Sequence, residues 1–298
     1  LEEIEHKQWT GRTGGNKWMQ KGLIFLFRHI GLRAVYSIMG CIIPFYMLFA
    51  HKGYIAMYHF FRRRFGYGIL KSFGSVYMNH FTFGQVILDR FAVYAGKQFQ
   101  IGIEGYENFT RLVSGNDGFV QLSSHIGNYE LAGYSLHDER KKFNALIYSG
   151  ETETVMANRT NTLSKNNIRM IPLQNDMSHI FIINNALMNG EIVSIPGDRI
   201  FGSAKHVDCD FLGGKAKFPL GPFAIAVERE VELLSVFVMK ESVRKYTIYV
   251  KPVKLQDGFT GSTKREKMDA LAQSFATNLE GIVRQYPLQW FNYFEFWD

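Results

Sequence analysis

Cysteine is scarce in this chain. Among 298 residues only Cys41 and Cys209 are cysteines, far apart and in segments of different kinds. That offers no disulfide framework and fits a reducing, cytoplasm-facing setting. Several catalytic signatures are missing too: there is no Gly-x-Ser-x-Gly elbow, Walker loop, dinucleotide fingerprint, paired-cysteine zinc spacing or His-Glu-x-x-His. Their absence argues against a serine lipase, an NTP user and a zinc peptidase. Long uncharged runs are short as well. Residues 34–50 carry no charge, a stretch at the lower edge of the roughly 17 to 25 residues a membrane span needs, and Pro44 is expected to interrupt a helix there. The expectation is therefore embedded or interfacial helices. The opening Leu1-Glu-Glu-Ile-Glu-His lacks the charged-then-apolar layout of a secretory signal, and a start without Met leaves room for an upstream portion.

Acidic residues are sparse at one end. Residues 1–100 hold 13 Lys/Arg against 4 Asp/Glu and the remainder 21 against 23, so the whole net charge of +7 comes from the first hundred residues. The positive charge is interleaved with aromatics, as in Tyr58-His-Phe-Phe-Arg62-Arg63-Arg64-Phe-Gly-Tyr67. Such a stretch suits an anionic membrane surface, where each basic group contributes about 1 kcal/mol and rings settle at the interface. An acidic carrier protein is a second partner that fits, and a merely solvated basic face remains the plainer alternative. No nucleic-acid motif accompanies the stretch, so nucleic acid is not expected as a partner.

With 46% hydrophobic residues the chain can bury one sizeable core. The division expected is a basic, helical, membrane-associated region at 1–95 and a catalytic unit at 96–298. From about 119 to 196, strand-like and helix-like segments alternate, which predicts an α/β fold with a sheet flanked by helices. Thr263-x-x-Glu266 is a capping box opening a long helix with one apolar face.

The most informative segment is Phe119-Val-Gln-Leu-Ser-Ser-His125-Ile-Gly-Asn-Tyr-Glu130. A short apolar run after the turn signal Ser114-Gly-Asn-Asp-Gly118 predicts a strand, and residues from Tyr129 onward predict a helix. Gly127 and Asn128 allow the sharp turn and a helix cap. Glu130 then falls in the first helical turn, where it is expected to accept a hydrogen bond from one imidazole nitrogen of His125 while the other faces a substrate. The same spacing also fits a core histidine satisfied by a nearby carboxylate. His206, Asp208 and Asp210 share a strand face, but three side chains on one straight strand spread over about 13 Å, too far to meet one metal ion.

His125-x-x-x-x-Glu130, followed in order by Asn158-Arg159, Ile195-Pro-Gly-Asp198-Arg199, Phe211-Leu-Gly-Gly-Lys215-Ala-Lys-Phe-Pro219 and Tyr286-Pro-Leu-Gln289-Trp290-Phe, resembles the late acyltransferases of lipid A biosynthesis. That resemblance implies a central mixed sheet of the glycerolipid-acyltransferase type. It implies a fatty acyl group moved from an acyl carrier protein or coenzyme A thioester to a hydroxyl or amine of a lipid, with His125 as base and Glu130 as its orienting partner. It implies the cytoplasmic face of the inner membrane and no metal or redox cofactor. Asn128, Asn158, Arg159, Asp198, Arg199 and Lys215 are the candidate substrate-binding residues, the basic ones because they can hold phosphate or headgroup oxygens. The tail Asn292-Tyr-Phe-Glu295-Phe-Trp297 departs from that family's Trp-plus-basic ending, which leaves amino-acid lipids and polyene-lipid conjugates open as acceptors. A thioesterase with the same dyad and a non-catalytic lipid-binding scaffold are the alternatives.

Overall fold

Apolar runs such as Phe119-Val-Gln-Leu and Leu233-Leu-Ser-Val-Phe-Val-Met place successive side chains on opposite faces of a sheet, and both faces are covered. The computed structural model describes residues 22, 24–27, 29–49, 51–136, 138–148, 168–173, 178–200 and 205–297. Within these, helical residues 24–27 precede α1 (Leu32–Phe49), α2 (His51–Arg64) and α3 (Ile69–Tyr94). There follow β1 (Gln100–Glu104), α4 (Tyr106–Ser114), β2 (Phe119–Ser123), α5 (Tyr129–Ser135), β3 (Phe143–Tyr148) and β4 (Ile168–Leu173). Then come α6 (Ser178–Met188), β5 (Ile192–Pro196), the hairpin β6 (His206–Phe211) and β7 (Gly214–Pro219), α7 (Gly221–Arg229), β8 (Leu233–Lys240), β9 (Lys245–Val253) and α8 (Lys264–Gln285).

Seven strands form one mixed sheet in the order β1-β9-β8-β2-β5-β3-β4. The β8–β9 pair is antiparallel and every other neighbouring pair is parallel. On one face Val120, Leu122, Leu233, Phe237 and Met239 pack with α2, α6, α7, α8 and the hairpin. On the other, Phe119, Leu234, Val236 and Val238 pack with α4 and α5. This is the mixed, helix-flanked sheet expected from the sequence. The capping box of α8 is formed: the Glu266 backbone N–H donates to the Thr263 hydroxyl, and the Thr263 backbone N–H donates to the Glu266 carboxylate.

One expectation for the N-terminal region changes: α1 runs through Pro44 without a break. Proline at position 44 leaves the carbonyl of Gly40 without its helical donor, and the Tyr77 hydroxyl of α3 donates to that carbonyl instead, at 3.1 Å. A tertiary hydrogen bond thus offsets the one lost from the helix. No helix among the described residues is long and apolar enough to cross a membrane.

A buried charged cluster joins the helices to the sheet. Asp89 of α3 accepts from Lys240 Nζ at 2.6 Å and from the hydroxyls of Tyr36 and Tyr246, all buried. Burial pushes the Asp89 carboxyl up and the Lys240 ammonium down from their usual values, each opposed by the attraction of the other. Both cysteines are free; burial pushes the Cys209 thiol up to about 12, which makes it a poor nucleophile.

Candidate active site

Parallel strands carry their loops to a common edge, and β2 and β5 are parallel neighbours with Ser123 opposite Pro196. The Gly197 backbone N–H donates to the Ser123 carbonyl at 2.8 Å, extending that register. His125 lies two residues beyond the end of β2 and Asp198 two beyond the end of β5, so the pairing brings the two together. Asp198 Oδ1 lies 2.9 Å from His125 Nδ1, and Asp198 Oδ2 accepts from the His125 backbone N–H at 2.7 Å. One carboxylate thus holds both the ring and the peptide of the histidine. The Asp198 side chain is 1% exposed and the imidazole 22%.

Burial alone would push the Asp198 carboxyl up. The positive charge and hydrogen bond available from His125, together with Arg199 and the His125 backbone N–H, outweigh it and hold the carboxyl below its ordinary value. Since the folded value is depressed, the pairing stabilises the fold above the unfolded value of about 3.9 and is lost as pH falls through the folded one. At neutral pH Asp198 is an anion, which favours the tautomer with the proton on Nδ1 and the lone pair on Nε2.

The turn carrying His125 is fastened on two sides. The Asn128 backbone N–H donates to the Val238 carbonyl at the end of β8, at 2.8 Å. From the C-terminal segment, the Phe291 N–H donates to the His125 carbonyl, and the Gly127 N–H donates to the Gln289 carbonyl, both at 2.9 Å. The Gln289 side chain in turn accepts from the Lys240 backbone N–H at 2.9 Å and donates to its carbonyl at 2.8 Å. Asn79 of α3 donates to the carbonyls of Leu288 and Trp290. The Leu288-Gln-Trp-Phe run is therefore a clamp on the histidine turn. Its residues were visible in the sequence, but nothing local signals what they grip.

Gly127 has a φ of +57°, and a Cβ there would overlap the Val238 carbonyl oxygen. Gly127→Ala is expected to cost about 3 kcal/mol, from strain and overlap together. A thermal melt of the variant checks this, and an unchanged melting temperature would show that the turn is not pinned in this way.

Glu130 does not make the hydrogen bond to His125 expected from the sequence. It is buried and accepts from Arg90 of α3 at 3.3 Å; the Arg90 guanidinium also lies 5.1 Å from the centre of the Tyr129 ring. The reason is topological. The first turn of α5 presents Glu130 to α3, while β5 delivers the carboxylate that reaches the imidazole. Asn128 stands before α5 as expected, but its side chain makes no capping hydrogen bond.

Arg199 donates to the Phe291 carbonyl at 3.2 Å and its guanidinium lies 4.4 Å from the centre of the Phe294 ring. Burial lowers it to about 10, which leaves it a cation at neutral pH. Lys215 is exposed on the hairpin and pairs at 2.9 Å with Asp210, its cross-strand partner. Asn158 and Arg159 lie outside the described residues. Of the sequence-derived candidates, the fold gathers His125, Asp198, Arg199 and Asn128 around one turn.

Residues 69–297 match the family model described as bacterial lipid A biosynthesis acyltransferase. No curated protein matches. Among solved structures the chain is similar to the 1-acyl-sn-glycerophosphate (LPA) acyltransferase PlsC from Thermotoga maritima, with 15% identity over 86% of this chain and 99% of that one and a TM-score of 0.41.

Proposed function

This chain belongs to the bacterial lipid A biosynthesis acyltransferase family, and from that premise we propose that it moves a fatty acyl group from a thioester to a lipid hydroxyl or amine with His125 as general base. The observation that carries the base assignment is the pair of contacts from Asp198 to the ring and peptide of His125. With Nδ1 held by an anion, Nε2 is the nitrogen left to accept a proton. The acceptor O–H or N–H gives its proton to Nε2 as the heteroatom attacks the thioester carbonyl carbon. The tetrahedral intermediate collapses with cleavage of the C–S bond, and the imidazolium protonates the departing thiolate. Asp198 keeps the ring in place and offsets its transient charge. The transfer changes no oxidation state and so needs no redox cofactor.

Glu130 takes a different part in this reading. Paired with Arg90, it fixes the start of α5 against α3, and so positions the turn rather than touching the reacting atoms. Asp198→Asn is expected to lower kcat by about a hundredfold or more, since the amide no longer stabilises the imidazolium or selects the tautomer. Glu130→Gln is expected to cost less than about tenfold. Steady-state kinetics on both variants test the assignment; a larger loss for Glu130→Gln would transfer the orienting role to Glu130.

The donor is an acyl carrier protein or coenzyme A thioester, and the acceptor a lipid A-like or other bacterial lipid. The enzyme works at the cytoplasmic face of the inner membrane. On α1, Ile38, Ile42 and Phe45 follow helical spacing and are exposed, as are Ile69, Leu70 and Phe73 at the start of α3. An exposed apolar stripe beside a basic region supports interfacial binding to an anionic bilayer. The deciding experiment incubates the purified protein with membrane lipids and a panel of both thioester types, following thiol release and lipid mass. An acyl mass increment on one lipid supports the reading and names donor and acceptor. Thiol release with free acid alone would point to a thioesterase, and no reaction with any thioester would favour a lipid-binding scaffold.

A further inference from the structure

The basic run Arg62-Arg63-Arg64 has no part in the transfer chemistry, yet it does not simply coat the surface. Arg63 and Arg64, at the end of α2, line a cavity of about 80 Å³ closed on its other side by the C-terminal segment, including Phe294, Glu295 and Trp297. The Arg64 guanidinium lies 4.2 Å from the centre of the Trp297 ring and packs against Gly214 of the hairpin, where any Cβ would collide with it. Glycine at that position is what lets the arginine lie there. Glu295, the acidic residue of the lining, is engaged at 2.7 Å by His59 Nδ1. Two arginines against one carboxylate leave the lining net positive.

Size restricts the occupant. Pockets that enclose whole small-molecule ligands run to roughly 300–1,000 Å³. At about 80 Å³ the cavity lies well below that range and suits one small group rather than a whole substrate. A tetrahedral oxyanion fits that space, and guanidinium groups bind such oxygens in pairs. The cavity also adjoins the candidate active site, because Phe294 lines it and carries the Arg199 guanidinium over its ring.

We propose that this cavity is a phosphate-binding site in which Arg63 and Arg64 hold one phosphate group of a substrate. The shared chemistry is a phosphate ester, carried either by a lipid headgroup or by the phosphopantetheine arm of a thioester donor. Only the identity of that carrier rests on the acyl-transfer reading; the anion site stands on its own lining.

Isothermal titration of the full chain with three probes tests it: inorganic phosphate, phosphatidate in mixed detergent micelles and 4′-phosphopantetheine. Arg63→Gln is the main variant, because Arg63 is exposed and its loss leaves the core intact. Arg64→Gln is the second, and Arg63→Lys, which keeps the charge, is expected to recover part of the binding. Each Gln variant is expected to weaken binding about tenfold or more, the scale of losing a charge-assisted hydrogen bond, with melting temperatures checked in parallel. His125→Ala is expected to bind as the wild type does. Tighter binding of phosphatidate than of phosphopantetheine identifies a lipid headgroup as the source, and the reverse order identifies the donor; both orders support the site. Wild-type affinity in both Gln variants, or no binding of any probe by the wild type, overturns it. Because binding is read without turnover, an enzyme found inactive toward every thioester would leave this result standing.

Discussion

His125→Ala is expected to lower kcat by about 100- to 10,000-fold while leaving the fold in place. The range is what a positioned general base contributes, equivalent to about 3 to 5.5 kcal/mol of transition-state stabilisation. Alanine removes the proton acceptor that Asp198 holds in place. The fold should survive for a reason that is also geometric. Asp198 keeps the hydrogen bond from the backbone N–H of residue 125, at 2.7 Å in the wild type, and keeps Arg199 beside it, so the buried carboxylate is not abandoned. The turn itself is held through backbone groups, by Phe291, Gln289 and Val238, none of which needs the imidazole. Thiol release from a thioester in the presence of acceptor lipid, alongside a thermal melt, checks both halves. Turnover within a fewfold of wild type would remove His125 from the mechanism.

Lys240→Met is expected to have the largest effect on stability. It removes the cation from a fully buried cluster and leaves Asp89 with phenolic donors alone. Breaking a buried pair on one side costs about 3–5 kcal/mol, because the remaining charge is uncompensated, and a loss of that size lowers the melting temperature by about 10 °C. Lys240→Met combined with Asp89→Asn is expected to recover much of the loss, since a neutral amide is cheaper to bury than a lone carboxylate. The consequence reaches the candidate site. The peptide of Lys240 is held by the Gln289 side chain, and Val238 on the same strand accepts from Asn128. A loosened strand end loosens the histidine turn, and activity in the single variant should fall faster with temperature than in the wild type. A single variant melting with the wild type would mean the cluster contributes nothing net.

How much of this was legible beforehand depends on sequence separation. The strand at 119–122, the helix from Tyr129 and the α8 capping box rest on neighbours a few residues apart, and they were readable because period-two alternation, turn residues and caps are local signals. The histidine at a strand end was legible for the same reason. Proximity in sequence points from His125 to Glu130, whereas the carboxylate in contact with the imidazole is 73 residues away. Pro44 reads locally as a helix break, while the hydroxyl that compensates for it comes from Tyr77 on another helix. The role of the Gln289 clamp was invisible, since its grip on Lys240 spans 49 residues.

Beside the mixed sheet that the family resemblance implied, the sequence by itself determined an α/β architecture, a histidine turn at the end of a strand and a basic aromatic N-terminal region. These follow from composition, periodicity and local turn chemistry, which each short segment carries within itself. Only the tertiary structure decided which carboxylate holds the imidazole, what fastens the turn, how two buried phenols and an ion pair tie α1 and α3 to the sheet, and that Arg64 folds over Trp297 to close a cavity. Those pairings are set by strand register and helix packing, through which residues far apart in the chain come to share one hydrogen bond.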